Sequence, residues 1–202
     1  MRLVTAVVTA TWMLGVAGAA EARPWLSFSP EQTAVTAGGG IASFAGATMR
    51  ANTRLGADWD ARVTFGTRSP IAFEAGYTGL YNPLATGSGV APYLVQNSVD
   101  GALRINLIPY RVEPYIFGGL GYNHVTVYNR DQDPEMAARF KATDDQLMVP
   151  VGGGVAGYFG SHATIDARFT FRAMFRDELL IDAPPDVRSD SYTVAARAGY
   201  AF

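Results

Sequence analysis

The sequence predicts an all-β protein, a closed antiparallel eight-stranded up-and-down transmembrane β-barrel. Three observations predict it. Apolar and aromatic residues recur at every second position in segment after segment, with little helical periodicity. The connections between these segments alternate between short and long. The charges within the clearest segments never interrupt the apolar row.

The first 22 residues stand apart from this pattern. Met1-Arg2 supplies a positive start, "LVTAVVTATWMLGVAG" an apolar stretch, and "AGAAEA" small-residue cleavage sites after Ala19 or Ala22. This is a secretory signal pattern and leaves the fold argument. Residues 23–32 are read as a periplasmic lead-in and 33–202 as the barrel. The whole chain of 202 residues has no cysteine, which excludes disulfides and thiolate metal sites, and its net charge of -2 gives no sign of nucleic-acid binding.

Strand one, "TAVTAGGGIASF" (about 33–44), is Gly-rich and hard to phase. In strand two, "ADWDARVTFGTR", Trp59, Ala61, Val63, Phe65 and Thr67 share one face, with Arg62, Thr64, Gly66 and Arg68 opposite. Strand three, "IAFEAGYTGLY", sets Ile71, Phe73, Ala75, Tyr77 and Tyr81 against Ala72, Glu74, Gly76 and Thr78. Strand four, "VQNSVDGALRINL", sets Val95, Val99, Leu103, Ile105 and Leu107 against Gln96, Ser98, Asp100, Arg104 and Asn106. Strand five, "EPYIFGGLGYNHVTVY" (about 113–128), can face either way, because both faces carry apolar residues. Strand six, "QLMVPVGGGVAGYF" (about 146–159), carries Leu147, Val149, Val151 and Val155 on one face. Strand seven, "TIDARFTFRAMF", sets Ile165, Ala167, Phe169, Phe171 and Phe175 against Asp166, Arg168, Thr170 and Arg172. Strand eight, "SYTVAARAGYAF", carries Tyr192, Val194, Ala196, Ala198, Tyr200 and Phe202 on one face and Arg197 on the other.

The links through "SP", "IPYRVEP" and "GSH" are short. Those at about 45–57, 82–92, 129–145 and 176–190 are long. Alternating links imply a meander with every short turn at one end, and an even strand count puts both termini at that end.

Alternation alone does not say which face is wet. A soluble lipocalin-like carrier points apolar residues inward, and a membrane barrel points them at lipid. Eight charges decide for the membrane: Arg62, Glu74, Asp100, Arg104, Asp166, Arg168, Arg172 and Arg197. A soluble barrel needs far more outward charge, typically with many lysines, whereas the only lysine here is Lys141. Five arginines and three acids instead suit an interior network of forked ion pairs. A charge on the lipid face costs about 2 to 4 kcal/mol at mid-membrane, and none is there. Strands of about 9 to 11 tilted residues span a bilayer. Trp59, Tyr77, Tyr81, Tyr115, Tyr192, Tyr200 and Phe202 are read as interfacial aromatics at the ends of the apolar rows.

The segments "AFEAGYTG", "PYIFGGLGY", "VGGGVAGYF", "DARFTFR" and "AGYAF", in that order and spacing, resemble the small eight-stranded outer-membrane barrels of the OmpA/OmpX type over residues 33–202. The resemblance implies an outer-membrane, Gram-negative envelope location with both termini periplasmic. It also implies that Tyr200 and Phe202 form a signal for the barrel-assembly machinery. It does not extend to a peptidoglycan-binding domain.

"GGGVAG" matches G-x-G-x-x-G at Gly152, Gly154 and Gly157, but a strand rather than a helix follows, so it reads as crowded strand glycine and no cofactor is expected. Neither His124 nor His162 sits in a sequence resembling the outer-membrane deacylase or palmitoyl transferase sites. The expectation is therefore no catalytic residue and no enzyme. The acids of the third long loop do not follow Ca²⁺-loop spacing, and no metal site is expected. Asp133 before Pro134 predicts a short helix running to about Lys141.

The expected function is a structural or surface-interaction role through the long outer loops, with the lumen plugged by the Arg/acid network. The expected partners are outer-membrane lipid, lipopolysaccharide and an extracellular molecule. The alternatives are a porin-like narrow pore or carrier for small or apolar solutes, a lipid-modifying enzyme centred on His124, and a soluble carrier.

Overall fold

The structure is a computed structural model and describes residues 33–85, 91–108, 110–160, 162–181 and 188–202. The signal peptide and lead-in expected over 1–32 lie outside the described residues. The strands are β1 (Thr33–Phe44), β2 (Gly56–Phe65), β3 (Ile71–Pro83), β4 (Tyr93–Asn106), β5 (Val112–Tyr128), β6 (Thr143–Phe159), β7 (Ala163–Phe175) and β8 (Ser191–Ala201). Each pairs antiparallel with the next, and β8 pairs with β1, so the sheet closes into a barrel. Closure satisfies every ladder and leaves no open edge, the condition a sheet must meet in hydrocarbon.

Period-2 burial follows directly from strand geometry, since successive side chains point to opposite sides. On β2, Trp59, Ala61 and Phe65 are exposed while Asp58, Asp60, Arg62 and Thr64 are buried. On β7, Ile165, Ala167 and Phe169 are exposed while Asp166, Arg168 and Arg172 are buried. The exposed rows of the strands form an apolar belt, and the charges of the lumen array lie inside; Asp145, beyond the belt near the long-loop end of β6, faces outward.

Two expectations need correction. Tyr115 does not belong to the outward aromatics: it points into the lumen and is 2% exposed. β5 places Glu113, Tyr115, Phe117 and Asn123 inward and Ile116, Leu120 and Tyr122 outward. Its two faces look alike in sequence because apolar Tyr115 and Phe117 line the lumen. Neither row of β2 continues past Phe65, where the strand ends: Thr67, read as outward, is buried in the turn, and Arg68, read on the row of Arg62, is exposed there.

The seam between β1 and β8 explains Gly38 and Gly40 of β1 and Gly199 of β8. A Cβ on Gly40 would collide with the Val194 carbonyl oxygen, and one on Gly199 with that of Val35. Glycine lets the two backbones close. The chain end is fixed in turn: the Phe202 amide donates to the Thr33 carbonyl at 2.8 Å and the Ala201 amide to the His162 carbonyl at 2.7 Å.

The long connections carry structure of their own. Helix α1 (Ala47–Asn52) lies in the first, and helix α2 (Pro134–Arg139) in the third. Asp133 caps α2, accepting from the amides of Glu135 at 3.0 Å and Met136 at 3.3 Å. The helix stops at Arg139, where Phe140 turns extended and bridges to Leu180.

Candidate functional site

The lumen holds a branched ion-pair array. Arg62 is bidentate on Asp100, at 2.7 and 3.1 Å, with a guanidinium nitrogen 3.6 Å from Glu74. Glu74 also accepts from Arg104 at 3.3 Å through Oε1 and from Arg168 at 2.6 Å through Oε2. Arg104 pairs with Glu113 and donates to Asn106 at 2.6 Å. Arg197 pairs with Asp166 and, at 3.1 Å, with Asp60. Arg172 donates to Thr193 at 3.2 Å and to Thr78 at 3.5 Å. All these charged side chains are buried.

Sequence reasoning did not count Asp60, Glu113 and Tyr115 in this array, nor Asp58, which is also buried. Asp58 and Asp60 share the parity of Arg62 on β2, so alternation could have found them. Glu113 and Tyr115 required the phase of β5. Tyr115 is central: its hydroxyl donates to Asp166 at 2.8 Å and accepts from Arg197 at 3.1 Å, and the Arg104 guanidinium lies 3.6 Å above its ring. Arg168 lies 3.3 Å over the Phe117 ring in the same way.

Toward the long-loop end the lining changes. Asn123 donates to Gln96 at 3.2 Å and to Gln146 at 2.9 Å. Above these amides sits an apolar cluster of Phe44, Met49, Leu84, Leu94, Val125, Val127, Met136, Phe140 and Leu179. Every long connection contributes to it, so the four loops pack together as a cap over the barrel mouth. Polar ties join them outside: Arg139 to Asn52 at 2.8 Å and Lys141 to Glu178 at 2.6 Å. The Lys141 ammonium holds the Glu178 carboxyl below the usual carboxylate range, and Glu178 holds Lys141 above its own.

The histidines occupy opposite ends. His162 stacks on Tyr200 at 4.7 Å, and Tyr200 meets Phe202 edge-on at 5.0 Å, so Tyr200 and Phe202 form an outward aromatic cluster at the short-turn end. His124 faces outward on β5 above Leu120 and Tyr122, with Nδ1 2.6 Å from Asp145. Among the described residues no group of three or more His, Cys, Asp or Glu could hold a metal ion.

No family model and no curated protein matches the chain. Solved structures do. Neisserial surface protein A superposes with a TM-score of 0.59 at 13% identity, over 88% of this chain and 100% of that one. Ail, the attachment invasion locus protein of Yersinia pestis, in complex with the heparin analogue sucrose octasulfate, superposes with a TM-score of 0.57 at 10% identity, over 85% of this chain and 98% of that one. The fold is that of the small eight-stranded outer-membrane barrels. At these identities the likeness speaks for architecture alone.

Proposed function

We propose that the chain resides in the outer membrane, with both termini and the three short turns periplasmic, and acts at the cell surface through its capped outer loops. The observation that carries this reading is the sorting of side chains. An uninterrupted apolar belt faces outward, every strand charge of the lumen array faces inward, and the four long connections fold into one apolar cap. A belt of this kind suits lipid, and a rigid cap suits presentation of a surface to a partner. The lumen array and the cap together plug the interior, so the role is structural or interactive rather than conductive. Tyr200 and Phe202 fit an assembly signal, being exposed at the end of the closing strand.

Ail was crystallised with a heparin analogue. The long loops here carry seven basic and eight acidic residues over 45–55, 84–92, 129–142 and 176–190. That balance does not favour a polyanion, and a surface protein is the better class of partner. Location and orientation are tested by labelling. The chain has no cysteine, so Glu135→Cys and Arg111→Cys give single thiols. A membrane-impermeant maleimide should label position 135 in intact cells and position 111 only after the outer membrane is opened. The reverse pattern, or recovery in the soluble periplasm, overturns the reading.

A further inference from the structure

One cluster on the barrel wall has no place in the surface role. β5 and β6 are each 17 residues long, well beyond the ~9 to 11 that a bilayer requires. Their outward rows turn polar at the long-loop end. On β5, Leu120 and Tyr122 give way to His124 and Thr126; on β6, Leu147 gives way to Asp145. His124 and Asp145 are direct partners in the β5–β6 ladder. The rings of Tyr81, Tyr93 and Tyr128 pack at 5.3 and 5.0 Å on the same wall, toward the long-loop ends of β3, β4 and β5, as expected at a headgroup boundary.

The polar side chains at this boundary are ordered into a line. Asp145 Oδ1 accepts from the Tyr122 hydroxyl at 2.5 Å and lies 2.6 Å from His124 Nδ1. An ionised carboxylate only accepts, so Nδ1 carries the proton and Nε2 is left bare. Nε2 in turn faces the Thr126 hydroxyl at 3.4 Å. We propose that Thr126, His124 and Asp145 form an outward-facing hydroxyl–imidazole–carboxylate site that hydrolyses an acyl ester of a membrane lipid.

The chemistry follows from the order of the three groups. Thr126 Oγ attacks the ester carbonyl carbon and passes its proton to His124 Nε2. The tetrahedral adduct collapses, the C–O bond to the alcohol breaks, and the alcohol leaves with the proton from Nε2. A water then attacks the Thr126 acyl ester, Nε2 takes its proton, and Thr126 Oγ departs with that proton as the fatty acid is released. The net reaction is ester plus water giving acid plus alcohol. Asp145 is a positioning residue, holding the imidazole in the tautomer with Nδ1 protonated. Asn97 pairs with His124 across β4 and β5, and its Oδ1 accepts from Tyr77 at 2.6 Å. This leaves its amide nitrogen as a donor for the developing oxyanion. The 3.4 Å separation is long for a ground-state bond, as is common before substrate tightens a site. The placement selects the substrate class, because ester carbonyls of lipids lie where the apolar belt ends.

The full chain, refolded into vesicles, tests the proposal. One vesicle holds phosphatidylethanolamine and phosphatidylglycerol; the other adds lipopolysaccharide. Released fatty acid is measured by mass spectrometry, and the two arms tell a phospholipid ester from a lipopolysaccharide ester. The native chain should release fatty acid in at least one arm. His124→Asn and Thr126→Val should lower the rate at least about 100-fold while keeping the heat-modifiable gel shift of a folded barrel. Thr126→Ser should retain or raise it, the hydroxyl surviving without the crowding methyl. Asp145→Asn should lower kcat with KM unchanged, and Asp145→Glu should restore it. Release no faster than from protein-free vesicles in both arms overturns the proposal, as do folded His124→Asn and Thr126→Val variants that work at the native rate. Labelling at positions 135 and 111 reads location separately, so failure of one reading leaves the other decided on its own data.

Discussion

Glu74 is shared by three guanidinium groups, those of Arg62, Arg104 and Arg168. Removing one partner of a buried ion pair strands the others without water to replace it. Glu74→Gln should therefore destabilise the barrel by about 3 to 5 kcal/mol, read as urea unfolding in lipid vesicles. A change below about 1 kcal/mol, the scale of an exposed pair, would show that the array does not hold the lumen together. At this scale much was legible in the sequence: an Arg or acid in phase with its strand's polar row had to face inward. Tyr115 was not legible, because an aromatic ring suits either face and only its hydroxyl partners, Asp166 and Arg197, reveal which one it took.

Trp59 and Gly79 are paired across β2 and β3, and the indole lies over the glycine where a Cβ would stand. The ring covers backbone that glycine leaves bare, a known device for edge and barrel glycines. Gly79→Val should swing the indole away, shifting Trp59 fluorescence; an unchanged spectrum would mean the ring does not rest there. The cap is the second element-scale feature. Phe140 is fully buried against residues from the other loops. Phe140→Ala should cost about 3 to 5 kcal/mol of packing within the cap alone. Limited proteolysis should then cut the long loops faster while the heat-modifiable shift of the barrel persists. Equal cutting rates would count against a packed cap. Sequence reading placed α2 correctly at its start, through Asp133 and Pro134, yet gave no sign of the cap, since its residues are scattered over four connections.

The whole molecule combines an outward apolar belt, a charged core and an apolar lid. Eight strands leave an interior only wide enough for side chains, and here the charged array and the loop cluster fill it in turn. Reconstituted protein should show no steady open channels in planar bilayers, and steady conductance would restore the pore reading. By itself the sequence determined the number of strands, the inward and outward rows of the six strands other than β1 and β5, and the alternation of short and long links. Each of these is a local consequence of backbone pleat and turn length. The tertiary structure decided the phase of β5, the cap, the His124–Asp145 contact and the identity of every ion-pair partner. Arg168 finds Glu74 across 94 residues and Arg197 finds Asp60 across 137. Such meetings depend on how the sheet twists and closes, and no periodicity within a single strand encodes that closure.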